Sequence, residues 1–210
     1  NGEPTGYLCE PPAVKIATSI QISLAEAKEF LLNWQEFAFA NGFTGASDAG
    51  VEIVTPNALP AYVELEKEGK LKFYTYGYLM VADNTDDPKG CAKKAAETAE
   101  KYNSQHFTVV GSKVFLDGVL EAHTAWLTKE YDDQPGYTGN QRFNDTKKMT
   151  ELIAEDAKYG LAVHAHSDGD GGRTAGAPHP DGRRTSPARR IRTGGHSRSA
   201  APGWGALQRP

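Results

Sequence analysis

Two of the chain's six histidines, His164 and His166, stand two apart in the stretch "LAVHAHSDGD", with Asp168 and Asp170 close behind. Apolar and small residues lead into the pair and "GDGG" leads out, which reads as a strand running into a loop. Residues two apart on a strand point to the same side, so both imidazoles would face one way at the strand's carboxyl end. Neutral imidazoles are good ligands for zinc and its neighbours in the divalent series. An isolated His-x-His is also compatible with ordinary strand-end polarity, so the surrounding elements have to decide.

Those elements alternate. "SLAE" at Ser23 is a capping box, and Leu24, Ala27, Phe30, Leu31, Trp34 and Ala38 recur at helical spacing until Asn41-Gly42. "FTGASD" follows as a short strand. A second helix is expected from Pro56 to about Glu68, stopped by Gly69, and "KLKFYTYGYLMV" reads as the next strand. Asp87 as N-cap and Pro88 at the first helical position open a third helix. It leads to a strand at "SKVFLDG". A loop over residues 130–144, a helix over 145–159 ending at Gly160, and the "LAVHAHSD" strand complete the pattern. Alternating helices and strands imply βα units on a parallel sheet. Four units are about half of a (β/α)8 barrel, which needs eight and about 250 residues. The alternative is a small open α/β sheet, but no glycine-rich phosphate loop follows any strand.

Upstream of the histidine pair, "SKVFLDGVLEAHTAWL" places Lys113 in an apolar strand, followed by Asp117-Gly118, Glu121 and Thr124-Ala125, and "DDQPGYTG" comes later. Taken in order, these segments resemble the YtcJ-like branch of the metal-dependent amidohydrolase superfamily, amidohydrolase family 3, which includes N-substituted formamide deformylase. "HAHSDGD" fits that family's His-x-His-x-x-Gly-Asp strand end, and "GEPTGYLCE" and "GFTGASDAG" are similar to its earlier segments. The likeness covers residues 1 to about 172.

The resemblance implies part of a (β/α)8 TIM-type barrel, here about four βα units, that hydrolyses non-peptide amide bonds with one or two divalent ions, zinc in the first instance. It implies that Lys113 is similar to the carboxylated lysine of binuclear members: a neutral amine takes up carbon dioxide, and the resulting carbamate can bridge two cations. A solvated strand-end lysine is the alternative. His166 matches the metal histidine of the family's fifth strand, and His164 the more variable histidine before it. Asp117, Glu121 and Asp170 match positions beside the metal ligands or the substrate. His106 and His123 are read as surface residues, and Asp48 as a turn cap. The family's other ligands and its general base match nothing in the chain, so no catalytic residue is assigned.

Charge divides the sequence in two. Residues 1–170 hold 15 basic and 26 acidic side chains, a net of −11, and their basic residues are 14 lysines and Arg142 alone. Residues 171–210 hold eight arginines, no lysine and one acid, a net of +7, with eight glycines and five prolines. Such a segment reads as disordered, and two origins fit: a frameshifted reading of a GC-rich gene, which the abrupt change of composition favours, or a basic nucleic-acid-binding tail. A non-catalytic fragment is the third functional class. Cys9 and Cys91 form no metal or disulfide pattern, consistent with a reducing, cytoplasmic setting. No apolar run is long enough for a membrane span. The expected partner is therefore a small amide substrate, with self-association open.

Overall fold

In a computed structural model, the structure describes residues 3, 5, 6, 8, 13, 15, 16, 19–51 and 57–175. Pro56, most of "GEPTGYLCE" and the 176–210 segment lie outside the described residues. The fold is that of the unit Asn1–Gly176.

Helix α1 (Leu24–Ala40) begins at the expected capping box, with Glu26 N donating to Ser23 Oγ at 3.3 Å and Ser23 N to Glu26 Oε2 at 2.8 Å. Its buried face differs from the aromatic stripe that spacing suggested: Ala27, Leu31, Gln35 and Ala38 are buried, while Phe30 and Trp34 are 56% and 42% exposed. Gln35 supplies the reason. Its Oε1 accepts from Lys72 N at 2.7 Å and Phe73 N at 3.1 Å, and its Nε2 donates to Lys70 O at 3.2 Å. Three backbone groups that need partners turn the helix toward its amide.

Strand β1 (Gly45–Val51) extends past the expected "FTGASD", and α2 (Ala58–Lys67) starts from Asn57 and stops before Gly69, whose φ of +66° suits glycine. Strand β2 (Tyr74–Met80) follows. Helix α3 (Pro88–Tyr102) has Asp87 as its cap, accepting from Gly90 N at 2.9 Å. Strand β3 (Phe107–Phe115) starts five residues earlier than "SKVFLDG" suggested. Helix α4 (Thr146–Lys158) is capped by Asp145, and β4 (Ala162–His166) covers the histidine pair. A turn of 3-10 helix at Leu120–Ala122 and a short helix α5 (Asp170–Ala175) were not anticipated.

The four strands form one parallel sheet in the order β1-β2-β3-β4. Sequential order is that of a barrel wall, whereas a doubly wound sheet reverses direction partway. α1 touches α2, α2 touches α3, and α3 touches α4, so the helices make one layer. Val51, Leu59, Tyr62, Leu65, Phe107 and Val109 pack together in one core cluster. Val81, Ala92, Val114, Phe143 and Leu152 pack in a second. Among the described residues no helix is long and apolar enough to cross a membrane.

One irregularity decides what the sheet's other face carries. Phe107 and Val109 point to the helices, and so does Val114. An even step along a regular strand preserves the face, so an odd step of five requires one extra residue between Val109 and Val114. The β2–β3 register supplies it: Gly77 pairs with Val109 but Tyr78 pairs with Gly111. This bulge turns Lys113 and Phe115 away from the helices. Only glycine fits at its centre, since a Cβ on Gly111 would lie 1.7 Å from the Ala162 carbonyl oxygen.

Candidate metal centre

Lys113 is the direct register partner of His164, and Phe115 of His166, across the β3–β4 pair. Val163 packs with the helix-side core, so His164 and His166 share the opposite face with Lys113. Three nitrogen-bearing side chains therefore meet at the carboxyl ends of two parallel strands.

Lys113 is 4% exposed, and its Nζ lies 4.8 Å from the centroid of the Phe115 ring. Among the described residues it has no carboxylate partner. Burial pushes its amine below the ordinary lysine value, toward the neutral form. His164 packs edge-on to Tyr78 with ring centroids 5.0 Å apart. Burial, then the charges of Lys113 and His166, push its imidazole below the usual histidine range.

His166 is held differently. Its Nε2 is 2.9 Å from the Gly118 carbonyl oxygen, which can only accept, so Nε2 carries the proton and Nδ1 keeps a free lone pair. Metal-binding histidines are oriented in this way, by donating through the nitrogen that does not coordinate. Asp168 Oδ1 and Asp117 Oδ1 lie 3.8 and 4.0 Å from Nε2.

The remaining expected residues separate. Asp117 is fully buried and accepts from Trp126 N at 3.0 Å, Asp168 N at 3.0 Å and Gly169 N at 2.7 Å. It joins the segment after β3 to the segment after β4. Asp170 does similar work nearer the surface, accepting from Thr128 N at 2.8 Å. Glu121 is exposed on the 3-10 turn. Asp48 caps no turn after the strand: it lies within β1, where the register shifts before Val51, and its Oδ1 accepts from Gly50 N at 3.0 Å while burial raises its carboxyl. His106 is not a surface residue: it is 7% exposed, with Nδ1 3.0 Å from Glu66 Oε1. His123 is half-buried against Asp133, at 2.8 Å.

Among the described residues no three His, Cys, Asp or Glu side chains converge on one metal position. The cluster at the strand ends is two histidines and a lysine. Sequence reading missed Phe115, the Gly118 carbonyl and Arg142, whose guanidinium lies 4.6 Å from the other contact of that cluster, the Phe115 ring. Only Arg142 carried a signal, as the single arginine of the first 170 residues.

Comparison with known proteins bears on this arrangement. Exoenzymes regulatory protein AepA of Pectobacterium carotovorum subsp. carotovorum is 28% identical over 171 residues, which cover 80% of this chain and 35% of that protein. YtcJ of Bacillus subtilis (strain 168), which bears an amidohydrolase name, is 27% identical over 173 residues, covering 81% of this chain and 31% of its own length. The crystal structure of an uncharacterized metal-dependent hydrolase from Pyrococcus furiosus matches with a TM-score of 0.60 at 27% identity, over 77% of this chain and 32% of that one. The chain thus spans about a third of the length of these relatives. The sequence pattern of the Amidohydrolase family matches residues 1–198, and on that match, with a fold shared with metal-dependent hydrolases, the chain belongs to the amidohydrolase family.

Proposed function

We propose that the intact protein hydrolyses carbon–nitrogen bonds of small non-peptide amides, and that Lys113, His166 and His164 are the metal-holding residues of this chain. The observation that carries the reading is a buried lysine with no counter-charge among the described residues, register-paired with a histidine on the face of the sheet opposite the helices. A buried ammonium with no anion is costly, and burial instead favours the neutral amine. That amine can attack carbon dioxide: an N–C bond forms, one proton leaves, and the side chain becomes a carbamate anion. The lysine is thereby an oxygen donor beside two imidazoles, a set that suits zinc. A divalent ion held there would supply activated water and polarise the amide carbonyl.

The chain's own residues do the positioning. Gly118 O fixes the His166 ring with Nδ1 free, and Asp117 fixes the two loops through three backbone amides. His164 is the more weakly placed ligand, its ring held among the described residues by the Tyr78 edge alone. Glu121, exposed at the loop, is a candidate substrate contact. Lys113, His164 and His166 leave a metal short of donors, so the 210-residue chain by itself should bind zinc weakly and turn nothing over. We also take residues 173–210 as a segment separate from the barrel piece; the nucleotide sequence around codon 172, translated in all frames, tests its origin.

The test is hydrolysis of N-acyl and N-formyl amides by the intact protein. Lys113→Ala should abolish turnover, and a short-chain carboxylic acid in the buffer should restore part of it. Full turnover in Lys113→Ala, or in metal-free protein, contradicts the reading.

A further inference from the structure

We propose that the cavity between α1 and β1 binds a small organic ammonium ion, with Asp48 as its counter-charge and the rings of Phe30, Trp34 and Tyr62 as its apolar wall. The site lies on the helix side of the sheet and does not rest on the hydrolase reading.

The cavity has a volume of about 310 Å³, within the range of small-molecule pockets. One wall comes from the sheet. Ala46 and Asp48 are the register partners of Thr75 and Gly77, and a Cβ on Gly77 would meet Val51 and Phe107 of the helix-side core. The Ala46 and Asp48 side chains therefore point toward the helices, the face opposite Lys113. The second wall comes from α1. Gln35 turns that helix toward the backbone of residues 70–73, which leaves Phe30 and Trp34 outside the core, 56% and 42% exposed, and lining the cavity. Four residues apart, the two rings share one helix face. Tyr62 of α2 adds a buried ring, stacked on Phe107 with centroids 4.2 Å apart.

Charge decides what the cavity suits. Among the described residues Asp48 is the one acid that lines it, and no lysine, arginine or histidine does. Asp48 Oδ1 accepts from Gly50 N at 3.0 Å, and its Oδ2 has no partner among the described residues. Burial pushes the Asp48 carboxyl up, and no neighbouring cation offsets it. Burial, with the charge of Asp48 nearby, also pushes the Tyr62 hydroxyl up to about 12, so that ring stays neutral. An acid on the helix-facing side of a strand is costly without a counter-ion. A primary ammonium supplies both things missing here, a positive charge and N–H donors for Oδ2. Its carbon body covers Phe30 and Trp34, whose ring faces attract cations as well as apolar groups. A carboxylate ligand would be repelled by Asp48, and a neutral one would leave its charge uncompensated. A bare metal ion would find a single carboxylate, too few donors to hold it.

The test compares 2-phenylethylammonium with its uncharged counterpart 2-phenylethanol, by saturation-transfer NMR titration of the 210-residue chain at neutral pH. The wild type should bind the ammonium about tenfold more tightly than the alcohol. Asp48→Asn should erase that preference by weakening the ammonium alone. Trp34→Leu should weaken both probes, the ammonium by about fivefold, since a ring is lost and the charge is kept. Added zinc should not displace the ammonium, because the proposed metal residues face the other side of the sheet. No preference in the wild type, or displacement by zinc, would overturn the proposal. So would a preference that survives Asp48→Asn, which would trace binding to the diffuse net charge of −11 over residues 1–170. Should Asp48→Asn not fold by circular dichroism, Trp34→Leu, at an exposed position, decides, and an ammonium affinity equal to wild type refutes the site.

Discussion

At the amino end of β3, His106 is 7% exposed and closed in on every side. Glu66 Oε1 lies 3.0 Å from its Nδ1, Glu66 Oε2 accepts from His106 N at 3.0 Å and from Ser104 Oγ at 2.8 Å, and the Tyr74 ring packs against it at a tilt, centroids 4.9 Å apart. At the carboxyl end, Lys113 is as deeply buried, at 4%, and is register-paired with His164, with no carboxylate on either among the described residues. The two residues are seven apart in sequence, His106 just before β3 and Lys113 near its carboxyl end. The first is a finished polar network that joins α2 to the sheet. The second leaves a buried amine and the Nδ1 atom of His166 without a partner among the described residues. In a parallel α/β sheet, residues at the amino end read as stability and those at the carboxyl end as chemistry. Here the distinction can be seen in what each group is bonded to.

The comparison breaks most sharply if metal binding is indifferent to the carboxyl-end residues. His166→Ala should lower zinc affinity by at least about tenfold, with a smaller loss in His164→Ala, as measured by competition with a chromogenic chelator. Small, equal losses at both positions would remove His166 as a ligand. Next in size is Gly111→Ala. A methyl group driven against the Ala162 carbonyl should force β3 from β4 and cost about 3 kcal/mol in denaturant unfolding. Lys113 would lose its aim with the bulge, so zinc binding should fall as well. Near-native stability would show that the bulge does not set the face.

Glu66→Gln tests the closed end. Burial alone would raise the Glu66 carboxyl, but the bonds from His106 and Ser104 outweigh it and hold it below its ordinary 4.5. A carboxyl lowered by folding adds stability above its unfolded value and loses it as pH falls through the folded one. The wild type should therefore exceed Glu66→Gln by about 1 kcal/mol at pH 7, and the gap should shrink as pH drops below about 4.5. Zinc binding should not change. A gap that widens in acid would contradict the assignment.

The smallest effect is expected at Asp156, on α4, which is fully buried with neither carboxyl oxygen hydrogen-bonded. Burial, offset in part by nearby Ser112, raises its carboxyl above the ordinary 3.8. The sign is the reverse of Glu66. Stability is complete below the unfolded value and declines as pH rises through the folded one. Asp156→Asn should raise the thermal midpoint by a few degrees at pH 7 and change it little near pH 3. A lower midpoint at pH 7 would show that the carboxylate is used.

Much of this architecture was legible in the chain. Capping at Ser23, Asp87 and Asp145 and the stops at Gly69 and Gly160 are local events, decided within a few residues, and the helices they bound appear where spacing put them. What depends on distant partners was not legible. Gln35 is polar in composition and buried in fact, because its partners lie at residues 70–73. The bulge at Gly111 has no local signature, since the contact that demands glycine is with Ala162. His106 was misplaced for the same reason, its carboxylate lying 40 residues earlier in sequence. At the site, the pattern around Lys113, His164 and His166 could be read from the strand periodicity and the family resemblance. The contact of Arg142 with the Phe115 ring could not, because the ring it shares with Lys113 belongs to tertiary structure.

The central claim is that the buried amine of Lys113 takes up carbon dioxide to become a metal ligand. Carbon-13 NMR of the chain equilibrated with zinc and ¹³C-bicarbonate tests it directly. A carbamate resonance should appear in the wild type, strengthen as zinc is added, and be absent from Lys113→Ala. No carbamate resonance in the wild type, or one that persists in Lys113→Ala, would contradict it.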